Sequence, residues 1–209
     1  MELFEERSGT ELEIPMTDVY FDTLAASLDD YSEGLNIAMG SCFSEQFDGG
    51  SVSLAYEALY KANIADVSPH FNFMLGDQVY LDVGLDSLSP QTREIRERIA
   101  GDYALHWNAL QGVFKSGATW FLPDDHEFWN NYPFLSWKNP YIQALRIDKV
   151  KNIWKQTARD GVDNIQNVKP VRVINIGSDL TFCLADFRSK RTEKRLSLIH
   201  ISEPTRPIH

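Results

Sequence analysis

An α/β layered fold is predicted by three observations. Short apolar runs stop abruptly at Gly, Pro or Asp, stretches of helical period lie between them, and no internal repeat or long linker interrupts the alternation. Thr17 to Asp30 has a broadly helical period, with Phe21, Leu24, Ala25 and Leu28 on one face. Leu35 to Met39 reads as the first strand, leaving through Gly40-Ser41-Cys42. Ser53 to Ala65, with Leu54, Leu59 and Ile64, is expected to be a helix, and Phe71 to Leu75 a second strand closed by Gly76-Asp77. Ser89-Pro90 carries a capping serine and a proline at the first helical position, so an amphipathic helix should run from there through Ala104 toward Leu110. Thr119 to Leu122 is the third strand, stopped by Pro123, and Tyr141 to Thr157 a further helix. Val171 to Ile176 and Thr181 to Leu184 flank Gly177-Ser178-Asp179, a hairpin signal.

A length of 209 residues suits one domain, and 43% hydrophobic residues are enough for a real core, which excludes a disordered chain. Thirty acidic against 20 basic residues leave a formal charge of −10, so nonspecific binding to a nucleic-acid backbone is disfavoured. A phosphate-bearing ligand would need a local positive centre, which a bound metal could supply; for the charge alone, solubility is the simpler reading. Cys42 and Cys183 lack the spacing of a disulfide framework or zinc knuckle, and Cys183, inside a strand, is expected in the core. Met1 to Thr10 lacks the apolar centre of a signal peptide and no run has the length of a membrane span, so the chain reads as soluble and intracellular. Residues 1–34 are expected to form a helical lead-in and 35–195 a partial domain. From about Leu196 the period is lost and two prolines follow, as in an artefactual read-through or a disordered tail. The natural protein is accordingly expected to continue beyond Arg195, and His200 and His209 are set aside as site residues.

Hard-metal ligands follow the second and third strands directly. Asp77 could bridge two ions through its two oxygens, Gly76 would let the backbone turn close to them, and Tyr80 could supply a phenolate to trivalent iron. A Gly-Asp after a strand is by itself more often a turn. Asp124-Asp125-His126-Glu127 is more specific, because three acids beside Phe121, Leu122, Phe128, Trp129, Tyr132 and Phe134 repel one another unless a counter-charge is present. Asp125 is the expected metal ligand, His126 the residue meeting a phosphoryl or leaving group, and Asn130 a carboxamide near the ions.

The ordered blocks Gly40-Ser41-Cys42, Gly76-Asp77-Gln78-Val79-Tyr80, Asp124-Asp125-His126-Glu127 with Asn130-Asn131, and Ala185-Asp186-Phe187-Arg188-Ser189 resemble the PhoD-type alkaline phosphatases, within the calcineurin-like metallophosphoesterases. The resemblance spans roughly residues 35 to 191. It implies an incomplete layered α/β/β/α sandwich with mixed sheets and hydrolysis of phosphate mono- or diesters. The implied centre is dinuclear or multinuclear, iron with calcium or another divalent metal. It further implies Cys42 as a thiolate ligand, Asp77 as the bridge, Tyr80 as the phenolate, Asp125 on the second metal, His126 as the catalytic imidazole and Arg188 as a donor fork for phosphate. Without it, Cys42 would read as a structural thiol. The family's later aspartate and histidine ligands have no counterpart before Arg195, which implies a truncated member with an incomplete shell. His70 and His106 are not expected to replace them. Two alternatives stay open: a noncatalytic anion- or partner-binding relative using aromatic surface at Trp129, Tyr132, Phe134 and Trp137, and a hydrolase using only paired carboxylates.

Overall fold

A computed structural model describes residues 23–61, 68–83, 89–115, 117–135 and 143–193, with four two-residue strands before residue 19. The chain is a mixed α/β structure with one three-stranded parallel sheet, one separate antiparallel hairpin and, among the short N-terminal strands, two antiparallel pairs, Glu2–Leu3 with Thr17–Asp18 and Glu6–Arg7 with Thr10–Glu11. Strands β1 (Ile37–Gly40), β2 (Phe71–Leu75) and β3 (Ala118–Leu122) form the parallel sheet in that order, with Ile37 opposite Phe71 and Phe71 opposite Ala118. Their exits therefore lie at one edge, which is where open α/β sheets gather functional side chains. β2 is central and its residues 71 to 74 are buried, as a strand covered on both faces must be. Asn72, the polar member of that run, is satisfied: its amide reaches Val113 O and Thr119 Oγ1 at 3.4 and 3.3 Å, and Tyr56 OH donates to it at 3.3 Å.

Helices α1 (Glu45–Asp48) and α2 (Ser51–Lys61) carry the first crossover, and α3 (Thr92–Ala109) with α4 (Gln111–Lys115) the second. The largest core lies between α3 and α5 (Asp148–Gln166), where Ile95, Ile99 and Tyr103 meet Trp154, Ala158 and Val162. Val79, Leu81, Phe128, Trp129 and Tyr132 plug into the same core, so the segments after β2 and β3 are held by helices rather than left as free loops. Each fully buried side chain of this size contributes roughly 1.5–3 kcal/mol. The hairpin of β4 (Val171–Ile176) and β5 (Leu180–Ala185) lays Ile174, Ile176 and Leu184 against Phe71 and Phe73. Its turn needs Gly177 at φ +52°, since a Cβ there would run into Ala26 O.

Several expectations are corrected. Thr17 to Asp30 is not a helix among its described residues: Thr17–Asp18 pairs with Glu2–Leu3, and only Leu28–Asp30 makes a single 3-10 turn. Ser27 ends any longer helix by capping that turn, and its hydroxyl and the Leu28 N–H both bind Asp179 at 2.8 and 2.9 Å. Leu24 and Leu28 still pack on the core, whereas Phe21 lies outside the described residues. Helix α3 begins at Thr92 after Gln91 and not at Pro90, because Ser89, ahead of the helix, receives the Gln91 N–H on its Oγ and donates to the Glu94 side chain of the first turn. The predicted 141 to 157 helix is a 3-10 turn at Gln143–Arg146 followed by α5, and Tyr141 is outside the described residues. Residues 62 to 65 of the predicted second helix also lie outside them. Cys183 is exposed and not core: strand alternation turns Leu184 inward and Cys183 outward, opposite Val173. Among the described residues no helix is long and apolar enough to cross a membrane.

Candidate functional site

The exits of β1, β2 and β3 are knitted together by backbone bonds. Cys42 N–H donates to Gly76 O at 3.1 Å, Phe43 N–H to Asp77 O at 2.9 Å, and Leu81 N–H to His126 O at 3.1 Å. Cys42 and Asp77 both adopt positive φ, +58° and +52°, a conformation that costs a non-glycine residue about 1 kcal/mol or more. Gly76 takes φ +107°, and an added Cβ would fall inside contact distance of Asp124 Cβ and 3.0 Å from Asp124 N. Its glycine character is what lets the third loop press against the second.

This packing brings carboxylate oxygens of Asp77, Asp124 and Asp125 within 4.8 Å of one another. Cys42 stands beside them, its Sγ donating to Asp77 Oδ2 at 3.5 Å. The thiol is mostly exposed. Its contact with Ser41 favours the thiolate, but burial and the Asp77 carboxylate outweigh it and raise the pKa. Tyr80 lies with its ring centroid 4.4 Å from that of His126. Burial first, then the charges of Asp77, Cys42, Glu127 and Asp125, push its phenol up to about 12. Asp124 is also raised by burial, against the opposing pull of Arg188.

His126 is held by a group that sequence inspection missed. Asp82 is fully buried; its Oδ1 takes His126 Nδ1 at 2.7 Å and its Oδ2 takes Asn130 N–H at 2.8 Å. Burial opposes the imidazolium, yet the Asp82 bond and charge, with Asp77 and Asp125 behind it, leave the His126 pKa raised. The His126 backbone N–H donates to Asp77 Oδ1 at 3.2 Å. Asn130 joins the site through its backbone, and among the described residues its carboxamide makes no bond to the trio. Asn131, at φ +63°, donates its N–H to Asp125 Oδ2.

Arg188 follows β5 and reaches the same edge. Its Nε donates to Asp124 Oδ1, Nη1 to Tyr132 O at 3.0 Å, and Nη2 stands 4.0 Å from Asp125 Oδ1. A cleft of about 270 Å³ opens beside it, lined among others by Leu75, Leu122, Phe187 and Arg191. Cys42, Asp77, Tyr80, Asp125, His126 and Arg188 thus lie around one sheet edge. His70 and His106 do not: His70 Nδ1 meets Asn36 N–H at the entry of β2, and His106 Nδ1 meets Asp102 O within α3. Trp129 and Tyr132 are buried and so offer no aromatic surface, Phe134 is partly exposed, and Trp137 lies outside the described residues.

Besides Asp82, two more acids take roles that the sequence does not separate, Asp124 in the trio and Glu127 as a buried acceptor. The signal for Asp82 was present, a carboxylate interrupting the apolar run Val79 to Leu81. No protein-family model, curated protein or solved structure matches the chain.

Proposed function

We propose that this chain carries the metal-binding portion of a phosphoesterase of the PhoD type, within the calcineurin-like metallophosphoesterases, acting on phosphate mono- or diesters. On this reading the parallel sheet and the hairpin belong to the two sheets of a layered α/β/β/α sandwich. The observation that carries it is the convergence of Asp77, Asp124 and Asp125 at the exits of two adjacent parallel strands, with Cys42 and Tyr80 beside them. Three carboxylates so close repel, Arg188 offsets one of their charges from the Asp124 side, and the remaining hard oxygen donors suit iron, calcium or another divalent ion. Asp77, Asp124 and Asp125 would hold such a centre, with the Cys42 thiolate and Tyr80 phenolate as further ligands. A bound ion supplies Lewis-acid stabilisation of phosphoryl charge and activation of water.

The remaining chemistry belongs to side chains. Asp82 accepts through both oxygens, so His126 presents its Nδ1–H to that carboxylate and leaves Nε2 to carry a proton toward a leaving oxygen. Tyr80 packs on the imidazole and limits its rotation. Arg188 has Nη2 hydrogens for a phosphoryl oxygen while Nε and Nη1 keep the guanidinium in plane. The test is metal content of the purified protein and hydrolysis of 4-nitrophenyl phosphate and bis(4-nitrophenyl) phosphate, for wild type, Asp77→Asn and His126→Ala. Bound metal, and turnover that either substitution removes with the fold intact, is expected. Wild-type turnover in either variant defeats the assignment, and a purified protein that holds no metal favours the anion- or partner-binding alternative.

A further inference from the structure

Glu127 is fully buried, and among the described residues it has no cationic partner. What it has instead is backbone. Oε2 accepts the Asp77 N–H at 3.1 Å and the Asp124 N–H at 2.9 Å, while Oε1 accepts the Gln78 N–H at 3.0 Å. Two of these three amides belong to residues whose side chains form the acidic trio. One carboxylate therefore bridges the loop after β2 and the loop after β3 at the level of their ligand-bearing residues. From the far side Gln166 of α5 approaches with Nε2 at 3.4 Å from Oε1, and it also reaches Gln78 Oε1 at 2.9 Å and Tyr103 OH of α3 at 2.8 Å. The bridge is thereby tied to both core helices.

We propose that Glu127 is a positioning residue that sets the spacing of the Asp77 and Asp124 carboxylates for cation binding, an inference that rests on reading the trio as metal ligands. Only a carboxylate can serve all three amides. An amide in its place has one acceptor oxygen, and its NH₂ must face either the Gln78 N–H or the pair from Asp77 and Asp124, donor against donor. Residues that orient ligands in this way commonly govern metal affinity by about ten-fold or more.

The experiment compares wild type, Glu127→Gln and Gln166→Leu after chelator treatment, by calorimetric titration with Mn²⁺ and by amide hydrogen exchange. Gln166→Leu removes the buried bonds from α5 but leaves the three backbone bonds intact. For Glu127→Gln the expected result is a folded protein whose Mn²⁺ affinity falls about ten-fold or more, with faster exchange at Asp77, Gln78 or Asp124. Gln166→Leu should lose thermal stability yet keep Mn²⁺ affinity within about three-fold. Should Glu127→Gln fail to fold, Glu127→Asp, which keeps both oxygens on a shorter stem, is expected to weaken Mn²⁺ in the same sense. Unchanged Mn²⁺ affinity in the Glu127 variants, or losses in both variants that merely follow their losses of stability, overturns the positioning role while the metal reading stands. A wild type that binds no Mn²⁺ overturns both.

Discussion

Raising the pH from 5 to 8 in the presence of a chelator should weaken the folded chain through Glu127. Complete burial outweighs the backbone bonds from Gln78, Asp124 and Asp77 and pushes this carboxyl from an ordinary 4.5 up to about 7. A folded pKa above the unfolded one means that the folded state holds its proton longer. The contribution is therefore fully present below 4.5 and disappears as the pH climbs through 7. At about 1.4 kcal/mol per pH unit, the part lost between pH 5 and 8 is about 2–3 kcal/mol. Urea unfolding of wild type and Glu127→Gln at pH 5, 6, 7 and 8 reads it as the difference between the two proteins. Asp124 and His126, also raised, remain in both and drop out of that difference. The stability of wild type relative to the variant should fall by this amount with rising pH. A difference that stays flat refutes the assignment of a neutral, buried Glu127 at acid pH.

Three further outcomes follow from the same geometry. Gly76→Ala must strain a backbone at φ +107° and push Asp124 away, so it should cost about 2 kcal/mol or more by thermal unfolding and weaken Mn²⁺ binding as well. Asp82→Asn removes the hydrogen bond and charge that favour the imidazolium, and an NMR titration should find the His126 pKa lowered relative to wild type, with Asn130 N–H exchanging faster. Adding Mn²⁺ at about a hundred-fold excess over its dissociation constant should stabilise the chain by about 2.7 kcal/mol, an increment that Asp77→Asn abolishes in a thermal melt.

How much of this was legible in the sequence follows from the kind of information each feature needs. β2 and β4 are visible residue for residue, because an apolar run bounded by Gly, Pro or a turn signal has few other uses. Thr17 to Asp30 failed for the complementary reason. Leu24 and Leu28 do face a core, as their spacing suggested, but the hydroxyl of Ser27 and the carboxylate of Asp179 from a distant hairpin satisfy the backbone that a helix would have used. Local period cannot report a partner so far away. Cys183 was misread although strand alternation carried the answer, since Phe182 and Leu184 already occupy the inward positions.

The site divides along the same line. Asp77, Asp125 and His126 are marked by following strands, a position that topology brings to one edge whatever the intervening chain does. Which acid faces a guanidinium, which faces an imidazole and which faces backbone is not encoded in spacing. Asp124, Asp82 and Glu127 are each a carboxylate near aromatic residues, and only the folded chain separates an Arg188 partner, a His126 partner and three amides. Each of those partners lies on another segment, so the roles are settled by tertiary packing. Burial then amplifies the difference: Asp82 is compensated by an imidazole that can carry charge, whereas Glu127 meets amide dipoles and the like charge of Asp77, and burial above all pushes it toward neutrality. A cation at the trio would favour the charged form of each acid around it, so metal and proton are expected to compete for this cluster, with binding strengthening as pH rises.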